Sequence, residues 1–143
     1  MSCLRSMGRI GLYSAVGIAG VYIPLTYVAQ LYSCSGPSMK PTISEKGDYV
    51  LVDKFSYKIL NTKYKHGDIV VTSITGKYMC KRVCAIENET PKYISPRTGK
   101  LVCAIVPVNY VWLLGDNRNN SLDSREIGPV PINSIEGRVV MKL

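Results

Sequence analysis

The stretch "KYMCKRVCAI" (residues 77–86) is short and rich in apolar and aromatic residues, and it reads as a β-strand. Side chains on a strand alternate between faces, so Met79, Lys81 and Val83 share one face and Tyr78, Cys80, Arg82 and Cys84 the other. A lysine thereby sits between two apolar neighbours. Such a lysine is ordinarily an edge residue whose ammonium snorkels to water. The alternative is burial, which disfavours the ammonium and lowers its pKa. A lysine so depressed can serve as a general base, a conversion closed to arginine.

Outward from this strand the texture is the same. "DYVLVDKF" (48–55), "GDIVVTSI" (67–74), "KLVCAIV" (100–106), "NYVWLLG" (109–115) and "IEGRVVMKL" (135–143) are short runs rich in β-branched residues, separated by Gly, Pro, Asn and Asp. No long helical period follows residue 45. The expected fold is mainly β, a compact domain over residues 33–143 with frequent turns. "YKILNTKYKHGD" is expected to be a polar surface connector, with anionic lipid as a possible contact.

The N-terminal part differs. From Ile10 to Met39 there is no Lys, Arg, Asp or Glu, and residues 10–32 are about as long as a bilayer core is thick. Gly17, Gly20 and Pro24 are poor in soluble helix interiors and tolerated in membrane helices. The expectation is a single transmembrane helix over 10–32. Arg5 and Arg9 would hold a tail of residues 1–9 on the non-translocated side. A cleaved signal peptide would have a shorter apolar core.

Net charge is +8, but the basic residues are scattered and form no aromatic-interleaved platform, so no nucleic-acid partner is expected. Five cysteines at irregular spacing make a poor disulfide framework, and Cys80 and Cys84 lack zinc spacing; no metal or organic cofactor is expected.

At the far edge of the apolar segment stands "CSGPSMKPTI" (34–43), a Gly-Pro-led turn carrying Ser38. A serine hydroxyl is a weak nucleophile until a neighbouring base takes its proton, and Ser-Lys pairs are one way of arranging this. Lys81 is the preferred candidate base. His66, the chain's one histidine, lies in a hydrophilic stretch with no sign of a buried, oriented imidazole. "GDNRNNSLDSR" (115–125) fails as a calcium loop, with Arg118 at the third ligand position and Ile127 at the twelfth. It reads better as a polar scaffold in which Asp116, Asp123, Arg118 and Arg125 pair internally, able to hold a lysine in place.

"SGPSMKPTI", "HGDIVV", "CKRV" and "GDNRNNSLDSREIGPVP", in this order after an apolar segment, resemble the type I signal peptidases, the membrane-anchored Ser-Lys proteases, and within them the mitochondrial inner-membrane branch. The resemblance implies Ser38 as nucleophile, Lys81 as general base, Ser121 as the residue that orients the lysine, and Asp123 and Arg125 as supports. It implies removal of presequences from precursor proteins, an anchor in membrane lipid, a domain facing the intermembrane space, and a heteromer with a related subunit. Gly36 stands where some bacterial members carry a hydroxyl residue that contributes to the oxyanion hole. A non-catalytic binding subunit of a peptidase complex and a bacterial-type enzyme are the alternative expectations.

Overall fold

The computed structural model describes residues 5–6, 28–58, 60, 62–74 and 76–143. Ten strands are present among them: β1 (Arg5–Ser6), β2 (Ala29–Cys34), β3 (Asp48–Asp53), β4 (Ile69–Ile74), β5 (Lys77–Ala85), β6 (Lys92–Ile94), β7 (Leu101–Cys103), β8 (Tyr110–Leu114), β9 (Val130–Pro131) and β10 (Ile135–Lys142). Helices are single turns, α1 (Phe55–Lys58) and α2 (Ser124–Ile127). The fold is therefore mainly β, and each of the strand runs after residue 45 forms a strand.

Eight strands make one sheet in the order β1-β2-β3-β10-β4-β5-β8-β9, with every pair antiparallel. The C-terminal β10 lies in the middle, between β3 and β4. The sheet curls on itself. Tyr32 of β2 and Tyr78 of β5 meet edge to face with ring centroids 5.6 Å apart, although three strands separate them in the sheet order. Inside the curl, Tyr32, Cys34, Met39, Ile43, Val50, Val52, Val71 and Cys80 form one core cluster. Val70, Val83, Val111, Leu113, Val130 and Ile135, with Tyr64, form a second. Burying an aliphatic side chain contributes about 1.5–3 kcal/mol, so these two clusters, on opposite faces of β4 and β5, carry the fold.

Three expectations need correction. The domain begins earlier than residue 33: Ala29–Ser33 pair along their length with β3, and Tyr32 is buried at 1% exposure. The apolar run does not stop at the sheet because its last residues also suit a strand with one buried face. Residues 29–32 are thus strand rather than the end of a helix, and the remainder of the expected anchor lies outside the described residues. Among the described residues no helix is long and apolar enough to cross a membrane. Arg5 and Ser6, expected in a separate tail, pair with Ser33 and Tyr32.

The connector after β3 is not wholly polar either. Tyr64 is buried and stacks on Tyr57 with centroids 4.3 Å apart, while Lys65 and His66 stay exposed. Finally, "NETPKYISPRTGKLVC" folds as the β6–β7 hairpin, which packs Tyr93 against Trp112 at 5.0 Å. Its outward Cys103 is exposed, unlike Cys34 and Cys80, and all described cysteines are free thiols.

Candidate active site

Ser38 sits in a one-turn 3-10 helix, Pro37–Met39, entered through Gly36 at φ 110° and ψ 164°. That backbone conformation strains any residue with a Cβ, so glycine is the residue the entry requires. Pro37 fixes the first turn, and Lys40 N–H donates to the Pro37 carbonyl at 3.2 Å. Met39 and Ile43 are buried in the first core cluster, so the turn is pinned from below. Ser38 itself is 4% exposed.

Lys81 lies mid-way along β5, paired with Val70 of β4. Met79, Lys81, Val83 and Ala85 are all buried, as the alternation requires, and Lys81 is 2% exposed, so its ammonium does not reach bulk water. Lys81 Nζ donates to Ser38 Oγ at 3.0 Å. Burial pushes the Lys81 pKa down from the ordinary lysine value; the nearby Asp123 carboxylate opposes that only in part.

The loop after β8 closes the site. Gly115 lies against both partners: a Cβ there would stand 2.1 Å from Ser121 Oγ and 2.6 Å from the Ser38 carbonyl oxygen. Asn117 N–H donates to that same carbonyl at 3.0 Å. Ser121 is 8% exposed, and its hydroxyl makes no hydrogen bond at standard geometry to any described residue, although it lies near enough to Asp123 to favour the carboxylate. Ser121, expected to orient Lys81, thus makes no hydrogen bond to it in the structure.

Asp123 is 1% exposed and caps α2, accepting from Arg125 N–H at 3.2 Å. Its carboxylate also takes Arg125 Nε at 2.9 Å, Arg125 Nη2 at 3.0 Å and Gly115 N–H at 3.1 Å. Burial works to raise its pKa, but these donors win and hold it below the usual carboxylate range. Asp123 and Arg125 do pair within the loop. Asp116 does not: it turns to Arg82 of β5, taking Nε and Nη2 each at 2.8 Å. Arg82 also donates to the Gly67 carbonyl at 2.9 Å. Arg118 contributes its carbonyl, which accepts from Arg125 Nη2 at 2.6 Å.

His66 is exposed and bonded to Glu89 at 2.9 Å, engaged away from the Ser38–Lys81 contact. The residues that sequence reasoning missed are Gly115, Asn117 and the Arg82–Asp116 pair. Gly115 and Asn117 act through backbone, which leaves no chemical signature. Arg82 had one: it is adjacent to Lys81 and points to the opposite face.

A buried serine hydroxyl hydrogen-bonded to a lysine of lowered pKa, framed by two arginine–carboxylate pairs, is an arrangement suited to nucleophilic hydrolysis. Comparison with known proteins agrees with that chemistry. Residues 7–94 and 87–143 match the family described as "Signal peptidase, peptidase S26". The chain is 37% identical over 120 residues to the Schizosaccharomyces pombe mitochondrial inner membrane protease subunit 1, covering 82% of this chain and 74% of that one. It is 38% identical over 120 residues to the Homo sapiens subunit 1, covering 82% and 70%. It is 30% identical over 144 residues to the S. pombe subunit 2 of that protease, covering 95% and 78%. The chain belongs to the S26 signal peptidases, and it is a peptidase.

Proposed function

We propose that this peptidase is a membrane-anchored serine endopeptidase using a Ser38–Lys81 dyad to remove presequences from proteins delivered to the mitochondrial intermembrane space. The observation that carries the reading is the 3.0 Å contact between Lys81 Nζ and Ser38 Oγ, with both side chains buried. Neutral Lys81 accepts the Ser38 hydroxyl proton across this contact. Ser38 Oγ attacks the scissile carbonyl, Lys81 returns the proton to the leaving amine, and an acyl ester forms on Ser38. Water then gives a proton to Lys81 and attacks the acyl carbon, the C–Oγ bond breaks, and Lys81 returns the proton to Ser38 Oγ as the carboxyl product leaves. The Ser38 backbone N–H donates to the developing oxyanion; Gly36 has no side chain to add a second donor. Ser121 is given the lysine-orienting role on its burial and its place against Gly115. Asp123 and Arg125 support the loop that carries it.

A small recess beside Ser38, walled by Cys34, Met39, Ile43 and Cys80, suits a small substrate side chain before the cut. The relatives' names support the mitochondrial inner membrane as the location and a related subunit as the partner. The length and apolarity of the run before β2 support a membrane anchor. A single crossing requires Arg5–Ser6 to leave β2, because it puts the two ends of the run on opposite sides.

The test is cleavage of a presequence-bearing precursor by the purified chain, with and without a subunit 2 partner, against Ser38→Ala and Lys81→Met. Both variants are expected to be folded and inactive. Normal cleavage by Lys81→Met would remove the dyad. An inert wild type even with the partner would make the chain a non-catalytic subunit.

A further inference from the structure

Thr42 lies four residues after the nucleophile, on the exposed side of the loop that leaves Met39. Its hydroxyl donates to Asp116 Oδ2 at 2.5 Å and lies 3.4 Å from Arg82 Nη2. Asp116 is not an arbitrary anchor. It stands between Gly115, which packs against the Ser38 carbonyl and Ser121, and Asn117, whose N–H donates to that carbonyl. Arg82, the other partner of Asp116, is the residue after Lys81. Three segments of chain therefore meet at one carboxylate: the nucleophile's loop through Thr42, the base's strand through Arg82, and the loop against Ser38 through Asp116 itself. Arg82 and Asp116 join only the second and third. Within this triangle Thr42 alone brings in the first by a side chain.

We infer that Thr42 is a positioning residue for Ser38: its hydroxyl fastens the loop that follows the nucleophile to the Asp116–Arg82 pair and so fixes the hydroxyl of Ser38 relative to Lys81. The inference rests on the dyad assignment above. Charge-assisted hydrogen bonds hold geometry more tightly than neutral ones, and a misplacement of about 1 Å at a reacting group is felt in rate. Because Thr42 is exposed, replacing its hydroxyl leaves the core untouched.

The full chain is compared as wild type, Thr42→Val and Thr42→Ser in three measurements. These are precursor cleavage, the rate of covalent labelling of Ser38 by a fluorophosphonate, and amide hydrogen exchange at Asn117. Thr42→Val is expected to lower kcat and the labelling rate three- to tenfold with KM within twofold of wild type. It should also speed exchange at Asn117, whose N–H donates to the Ser38 carbonyl. Thr42→Ser should restore all three to within twofold, which a merely space-filling role would not do. Wild-type rates and wild-type Asn117 exchange in Thr42→Val would overturn the inference, and so would a Thr42→Ser variant as slow as Thr42→Val. If wild type neither cleaves nor labels, the dyad assignment has failed; Asn117 exchange then decides the Thr42 tie by itself. Should Thr42→Val not fold, Thr42→Ala takes its place in the same comparisons.

Discussion

Replacing Gly115 by alanine tests the site at its tightest point. The added Cβ would meet Ser121 Oγ at 2.1 Å, Ser121 Cβ at 2.5 Å and the Ser38 carbonyl oxygen at 2.6 Å. Ser121 can relieve the first contact by rotating. The Ser38 carbonyl is backbone, held by Asn117 N–H at 3.0 Å, and must retreat by about 0.8 Å to reach an ordinary contact of 3.4 Å. Overpacking of this kind costs about 1–3 kcal/mol of stability. A misplacement near 1 Å at a reacting group costs about 100-fold in rate. Gly115→Ala is thus expected to fold with a lowered melting temperature and to lose about two orders of magnitude in kcat. Precursor cleavage and thermal melts on the same preparations provide the assay. The double variant Gly115→Ala/Ser121→Ala removes the hydroxyl contact but keeps those to the Ser121 Cβ and the Ser38 carbonyl, so it should stay destabilised and slow. A Gly115→Ala enzyme within threefold of wild type would refute the claim that Gly115 sets the place of Ser38.

Lys81→Met removes an ammonium whose burial is unfavourable. Because the folded-state pKa lies below the unfolded one, the unfolded chain binds the extra proton, and the penalty is full below the folded pKa and fades as pH rises to the free lysine value near 10.4. The variant should therefore be dead but more stable at neutral pH, by on the order of 1 kcal/mol, with the gain shrinking in melts at higher pH. The same depression means wild-type activity should rise with pH through an apparent pKa below that of free lysine; a limb at the ordinary lysine value would contradict a neutral Lys81. Arg125→Ala strips the main counter-charge from a carboxylate whose side chain is wholly buried, and should cost about 3 kcal/mol in urea unfolding. Asp123 titrates below the ordinary carboxylate range when paired, so its stabilisation is full above that range and is lost as pH falls below it, through the depressed folded-state pKa. The gap between wild type and Arg125→Ala should accordingly narrow below about pH 4; a constant gap would mean that packing, not charge, was lost. For the apolar run before β2, carbonate extraction should leave the chain in the membrane pellet. Protease access to the N-terminus then separates a crossing, with opposite-side ends, from the β1–β2 pairing, with same-side ends.

The strands were legible because each is a short β-branched run bounded by turn residues, and parity within one of them set the face of Lys81, whose burial stood only as the alternative to a snorkelling edge lysine. Ser38 and Lys81 were legible as residue types suited to nucleophile and base. What was not legible has a common physical cause. Gly115 and Asn117 act through a missing Cβ and a backbone N–H, neither of which a residue type announces. Asp116 was read as pairing within its own loop because sequence shows neighbours along the chain, whereas Arg82 reaches it by the curl of the sheet. β2 was not foreseen and residues 29–32 were given to the anchor, because an apolar run long enough for a membrane and a strand with one buried face look alike where they join. Tyr64 was read as surface because the lysines around it are exposed.

The two arginine–carboxylate pairs bear on how the proposed lysine base would keep a lowered pKa beside two carboxylates. A base buried to lower its pKa is undone by a nearby unpaired carboxylate, which would favour the ammonium again. Asp123 does exert that pull on Lys81, yet burial still prevails. The reason lies in the hydrogen bonds: Arg125 takes both oxygens of Asp123, and Arg82 takes both oxygens of Asp116. Each carboxylate meets its own guanidinium, so the scaffold is rigid through charge while presenting little net charge to Lys81. Arginine suits the task because it stays protonated and its planar fork matches a carboxylate bidentately. In this fold two guanidiniums stay paired with carboxylates while burial lowers the pKa of Lys81. Exchanging Arg125 for lysine would keep the charge and lose the fork, and should therefore loosen the loop without restoring the paired geometry around Ser121.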